Sequence, residues 1–125
     1  MSQRILIVED NDDNRRILRD VLTSAGYQMA EASTGEQGVA MAAEYRPDLI
    51  LMDIQLPDID GHEATRRIKA DPDLKAIPII AVTSFALSGD DVAAFEAGCI
   101  GYVTKPFSPR GLLAKLQEYL PQAKS

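Results

Sequence analysis

The chain has 125 residues and a mass of 13.6 kDa, the size of one domain, and a domain of that size buries roughly two thirds of its unfolded surface on folding. With 46% hydrophobic and 26% charged residues, the composition supports a packed core and excludes an intrinsically disordered chain. The 13 Lys+Arg against 19 Asp+Glu leave a formal net charge of -6; a nucleic-acid binder draws its affinity from neutralised phosphates, so no DNA partner is expected. The single Cys99 rules out an intramolecular disulfide and a cysteine-based zinc site. The most apolar uninterrupted run, Leu49 to Met52, is too short to cross a bilayer, and residues 1–3 lead straight into a strand-like segment. The expectation is one cytoplasmic domain over residues 1–125, with no signal peptide and no membrane span.

Five short apolar runs read as strands, at residues 4–8, 27–32, 48–53, 77–83 and 100–104. Helix-like segments alternate with them. Residues 13–25 place Ile17, Leu18, Val21 and Leu22 on one face, and Gly26 follows as a stop. Residues 35–45 carry Val39 and an Ala-rich face behind Ser33 or Thr34 as N-cap. Residues 61–70 end at Asp71-Pro72, where proline cannot continue the helix. Residues 88–97 open with Ser88 and Asp91 and close at Gly98, and residues 108–120 start with Ser108 as N-cap and Pro109 at the first helical position.

Strict alternation of strand and helix implies a parallel sheet covered on both faces. Central parallel strands are buried on both sides and read as continuous apolar runs. ILIV, LILM and IIAV are such runs, so the first, third and fourth strands are placed centrally, whereas YQMAEA alternates and IGYVT contains Gly101, which marks them as edges. The resulting strand order is 2-1-3-4-5, a flavodoxin-like (βα)5 three-layer α/β sandwich. In such a sheet the ligand site lies beyond the carboxyl ends of the strands where the order reverses, here between the first and third strands. Glu9 and Asp10, Asp53, Thr83 and Ser84, and Lys105 all fall at that edge.

Three carboxylates crowded together repel unless a cation or a proton compensates. Mg²⁺ is the expected cation, since it takes oxygen ligands in octahedral geometry and keeps several waters. Lys105 supplies a second positive charge and Thr83 a hydroxyl donor, and these are the groups a transferring phosphoryl needs. Asp53 is then the acceptor, a carboxylate nucleophile that forms an acyl phosphate.

The residues Glu9-Asp10-Asn11, the run DLILMDIQLP with Asp53, AVTSFA with Thr83, and Tyr102-Val103-Thr104-Lys105-Pro106 resemble the receiver domain of two-component response regulators, of the stand-alone DivK type or the chemotaxis type. The resemblance covers nearly the whole chain. It implies that Asp53 is the phosphoacceptor in a two-component system or phosphorelay, with a sensor histidine kinase or histidine phosphotransfer protein as donor and a downstream protein target. It also implies Mg²⁺ ligation by Asp10 directly, by Glu9 mainly through water, by Asp53 and by the backbone carbonyl of Gln55. Thr83 would hydrogen-bond the phosphoryl group, Lys105 would pair with it, and a cis bond before Pro106 would aim that lysine. On phosphorylation Thr83 and Tyr102 would move together and remodel the face of the fourth helix, fifth strand and fifth helix. Phe85 is assigned a shielding role over the acyl phosphate. Asn14, Ile17, Leu18 and Phe107 form a candidate docking patch, in which either Ile17 or Leu18 could instead face the core.

Rival readings carry less support. An aspartyl-phosphate phosphatase wants an acid/base aspartate two residues after the nucleophile, and that position is Gln55. A nucleotide or flavin binder wants a glycine-rich loop after the first strand, where the sequence is EDNDDN. A receiver excised from a hybrid histidine kinase and a phosphate-independent scaffold stay open. The chain is thus expected to be a phosphoacceptor switch and not an enzyme acting on a separate substrate. Outside the site, His62 reads as a solvated surface residue, Cys99 as a small buried apolar group, and Asp12, Asp13, Asp90 and Asp91 as acids favoured at helix starts.

Overall fold

A computed structural model describes residues 3–83, 95–104 and 108–120. Five parallel strands, β1 (Arg4–Val8), β2 (Gln28–Ala32), β3 (Leu49–Asp53), β4 (Ile79–Thr83) and β5 (Gly101–Thr104), form one sheet in the order β2-β1-β3-β4-β5. Helices α1 (Asp12–Ser24), α2 (Gly35–Tyr45) and α3 (Gly61–Ala70) follow the first three strands, and the C-terminal helix spans Pro109–Tyr119. The flavodoxin-like order read from hydrophobicity is therefore correct. β3 and β4 are buried at every position, whereas β2 and β5 keep partly exposed residues, as edge strands do.

The strand period of two sorts the core into two layers. Leu6, Val8, Ile50, Met52, Ile79 and Ala81 point to one side, against Ala42 of α2, Ala64 and Ile68 of α3, and Cys99. Ile5, Ile7, Leu49, Leu51, Ile80 and Val82 point to the other, against Leu18 and Leu22 of α1 and Leu112 and Leu116 of the C-terminal helix. Each fully buried Leu or Ile is worth about 1.5–3 kcal/mol, so both layers are needed to hold the sheet.

Helix starts follow their caps. Asn11, Thr34, Asp60 and Ser108 each accept the N–H three residues on, from Asn14, Gln37, Glu63 and Gly111. Thr34 is one of the two caps expected, and Ser108 with Pro109 stands as read; Asn11 and Asp60 were not anticipated. Ile17 corrects the expected α1 face: it is 46% exposed while Leu18 and Leu22 are buried and Val21 is partly buried. At 100° per residue the apolar stripe runs through 18, 21 and 22 and leaves 17 outside it. β1 begins at Arg4 as expected, and the other four strands begin one or two residues later than expected. The Tyr27 N–H closes the end of α1 on Leu22 O at 3.0 Å, after Gly26 turns the chain at φ 93. Pro78 has no N–H to give the ladder.

The expected fourth helix lies mostly outside the described residues, as do Ser84, Phe85, Asp90, Asp91, Lys105, Pro106 and Phe107. Cys99 is buried, with Sγ 3.7 Å from Thr65 Oγ1, and burial pushes its thiol pKa up. His62 is half-buried and not the solvated residue expected; among the described residues its buried Nδ1 meets no hydrogen-bond partner.

Candidate functional site

β1 ends at Val8, and the chain then leaves the ladder. The Glu9 N–H reaches Ala32 O at 2.9 Å, which carries the β1–β2 pairing one bond further, and Asn11 opens α1 two residues later. β3 ends at Asp53, whose Cα partner on β4 is Val82, so Thr83 lies one residue further toward the same sheet edge. Glu9, Asp53 and Thr83 are 1%, 3% and 1% exposed, whereas Asp10 is exposed. The topology thus brings Glu9, Asp10 and Asp53 together at the switch point: one carboxylate oxygen from each lies within 4.8 Å of the others.

Short local bonds orient the buried carboxylates. Glu9 Oε2 accepts the Asn11 N–H at 3.2 Å, and Asp53 Oδ1 accepts the Gln55 N–H at 3.1 Å. The second bond closes a turn immediately after the strand, of the kind Asp favours. It also fixes Gln55, the expected carbonyl donor, beside Asp53. Gly61 lets α3 start against this turn: its N–H donates to Ile54 O at 2.8 Å, and a Cβ there would stand 2.2 Å from Asp53 O.

The loop after Asp53 is tied to α2. Asp58 accepts the Gly35 and Glu36 N–H groups at 2.8 and 2.9 Å, one on each oxygen, and Ile59 lies over Gly35 so closely that a Cβ there would be 2.5 Å from its Cγ1. The Glu36 N–H above all, helped by Gly35, holds the Asp58 carboxyl below the usual carboxylate range. A depressed folded pKa means that the unfolded chain binds more protons in acid. The stabilisation is therefore complete above about pH 4 and is lost as pH falls through the lower folded value. Asp58→Ala is expected to lower the urea midpoint at pH 7, with the gap from wild type closing as the pH is taken to 3. A gap of constant size across that range would show that the charge plays no part.

Hard oxygen donors at this spacing suit a small divalent cation such as Mg²⁺, and no soft nitrogen or sulfur ligand joins them among the described residues. Arg15 and Arg19 of α1 converge on Glu31 of β2. Arg19 binds it through Nε at 2.5 Å and Nη2 at 2.8 Å, and this bond chiefly holds the Glu31 carboxyl below its ordinary pKa.

The model of the response regulator receiver domain matches residues 5–117. The chain belongs to the response regulator receiver family. This receiver is 42% identical to the polar-differentiation response regulator DivK of Brucella anthropi, over 98% of this chain and 100% of that protein, and 41% identical to DivK of Brucella ovis over the same spans. Among solved structures it is similar to the receiver domain of a Pseudomonas aeruginosa sensor histidine kinase with a magnesium ion coordinated in its active-site cleft. That likeness has a TM-score of 0.90 at 41% identity and covers 95% of this chain and 98% of that one. The Vibrio cholerae chemotaxis protein CheY4 matches with a TM-score of 0.91 at 28% identity, covering 96% of this chain and 100% of that one. Membership places the receiver in two-component signalling, with histidine kinases upstream and protein targets downstream, and receivers of this family bind Mg²⁺ at an acidic site. No helix among the described residues is long and apolar enough to cross a membrane.

Of the expected site residues, Glu9, Asp10 and Asp53 come together, Gln55 adjoins Asp53, and Thr83 ends the neighbouring strand. Tyr102 is half-buried on edge strand β5, with its ring edge-on to Phe95 at 6.1 Å between centroids. Lys105 and Pro106 lie outside the described residues. Asp58, Gly61 and Arg15 were not singled out from sequence. Asp58 and Arg15 reach partners whose relation to them is set only by the folded sheet. An Asp-Gly pair at a helix start could have flagged Gly61.

Proposed function

We propose that residues 1–125 act as one receiver domain whose Asp53 accepts a phosphoryl group from a partner phosphohistidine and switches partner binding. The observation that carries this reading is the meeting of Glu9, Asp10 and Asp53 carboxylate oxygens within 4.8 Å at the switch point of the sheet. An oxygen of Asp53 attacks phosphorus, the P–N bond breaks with its electron pair going to the imidazole nitrogen, and the imidazole, protonated on its other ring nitrogen from solvent, leaves as a neutral base. Burial keeps competing water away from the carboxylate, and the Gln55 N–H bonded to Oδ1 orients it. Glu9, Asp10, Asp53 and the Gln55 carbonyl would hold Mg²⁺, which when bound offsets the charge of the carboxylates and of the transferring phosphoryl.

Thr83, buried at the end of β4, offers its hydroxyl to the phosphoryl oxygens, and Lys105, the residue after β5, is assigned the pairing cation on its chemistry and its place in the chain. A drawn-in Thr83 vacates space on the side of β5, and Tyr102 is the side chain assigned to fill it. The downstream partner would read the face around β5, the C-terminal helix and the segment before β5. The likeness to DivK proteins and to a kinase receiver leads to a phosphohistidine donor in either case.

Incubation with Mg²⁺ and acetyl phosphate, followed by mass spectrometry, should locate one added phosphate on Asp53. Beryllofluoride binding is the parallel readout for a short-lived acyl phosphate. A folded sample that takes up neither would overturn the reading in favour of a scaffold.

A further inference from the structure

The backbone of the acidic loop bonds a cation that the phosphoryl chemistry above does not use. Arg15 lies in α1 with its side chain only 17% exposed. Its Nη1 donates to the Glu9 carbonyl at 2.8 Å and to the Asp10 carbonyl at 3.3 Å, and its Nη2 pairs with Asp12. Its Nε lies 3.5 Å from Glu31 Oε1, and Glu31 is itself held by Arg19 one turn along α1.

The two carbonyls belong to the residues that have just left the sheet. The β1 ladder ends at Val8, paired with Ala32 on one side and Met52 on the other. Beyond it the backbone must turn so that two consecutive side chains, which would alternate in a strand, both reach Asp53. At this turn the Glu9 and Asp10 carbonyls both accept from Arg15. One nitrogen, Nη1, reaches both carbonyls, while the fixed planar fork carries Nη2 to Asp12 and Nε to Glu31, so the head is held from three sides as a mobile ammonium would not be. The Arg19–Glu31 pair in turn limits where the Arg15 head can sit, tying the loop to β2.

We infer that Arg15 is a positioning residue for the metal centre, gripping the Glu9 and Asp10 carbonyls so that both carboxylates face Asp53. The inference rests on the metal site proposed above. It opposes what simple electrostatics would assign to the same residue. A positive charge near the site repels a second cation, so on Coulomb's law alone its removal tightens Mg²⁺ binding. A positioning role gives the opposite sign, because loosened ligands must be ordered again on binding.

The test is calorimetric titration of Mg²⁺ alone into wild type, Arg15→Met, Arg15→Lys and Arg16→Met, well below each unfolding temperature. Arg16 is the control: its substitution removes the same charge from the same helix, but its side chain is 65% exposed and bonds only Asp13 among the described residues. Arg15→Met is expected to weaken Mg²⁺ binding about tenfold, in the range seen when partners of metal ligands are removed. Arg15→Lys, which keeps the charge and loses the fork, is expected to weaken it several-fold, and Arg16→Met to leave it within about twofold. Arg15→Met binding as tightly as wild type or tighter overturns the inference alone, and so does full affinity in Arg15→Lys. If Arg15→Met does not fold, Arg15→Lys decides by the same criterion. Failure of wild type to bind Mg²⁺ overturns the proposed metal site and this inference with it.

Discussion

Asp53→Asn is expected to take up no phosphate and to lose most of the stabilisation that Mg²⁺ gives the wild type, while keeping its fold. An amide oxygen is neutral and a far weaker nucleophile than a carboxylate, so the acyl phosphate cannot form. The substitution is nearly isosteric, and the new amide oxygen can still accept the Gln55 N–H that Oδ1 accepts at 3.1 Å, so the turn after β3 keeps its closing bond. The metal effect is read through linkage. A ligand present at a hundred times its dissociation constant stabilises the folded state by about 2.7 kcal/mol. For a domain of this size that raises the unfolding temperature by roughly 10 °C. Wild type should show this rise with Mg²⁺, and Asp53→Asn should show little of it. Phosphate recovered on the Asp53→Asn variant, or on another residue of the wild type, would place the acceptor elsewhere.

Gly61→Ala is expected to be among the most damaging substitutions of one methyl group in the chain. Helix propensity favours Ala over Gly by up to roughly 1 kcal/mol, less at the first helical position that Gly61 holds, so propensity alone predicts no loss. Here the added Cβ would lie 2.2 Å from Asp53 O and 2.7 Å from Ile54 Cα, both backbone atoms that no rotamer change can move. Either α3 backs away and loses the Gly61 N–H bond to Ile54 O at 2.8 Å, or the end of β3 shifts. The expected cost is about 3 kcal/mol, at the upper end of overpacking, measured as a fall in the urea midpoint. Because the clash is with the peptide that carries Asp53, Mg²⁺ affinity should fall with it. A variant as stable as wild type would mean that α3 is not seated as described.

The site was legible from sequence to the extent that its residues stand at strand ends. Glu9, Asp53 and Thr83 each close an apolar run or follow one, and in a parallel α/β sheet every such end points to one edge, so knowledge of the strand order was enough to gather them. The order itself could be read because burial on both faces removes the alternation from β1, β3 and β4. Caps that bond three residues away are local, and Ser108 with Pro109 was found for that reason. Ile17 was misplaced because a run of two apolar residues on a helix does not say which of them meets the core, and that depends on how α1 lies against Ile5 and Ile7.

Other features were set by the chain's three-dimensional path. The bond of Asp58 to α2 joins residues more than twenty positions apart, and Arg15 reaches Glu31 across the rest of α1, the turn at Gly26 and most of β2. On paper such charges look like an ordinary solvated helix face or an acidic loop. By itself, the sequence determined the class of fold, the order of the strands and the chemistry gathered at one sheet edge, because periodicity, burial and capping are short-range properties of a chain. Tertiary structure alone decided how the acidic loop is held, which methyl group cannot be added, and which face of α1 is buried. Those depend on backbone atoms brought within a few ångströms by packing, a distance that no spacing along the chain encodes.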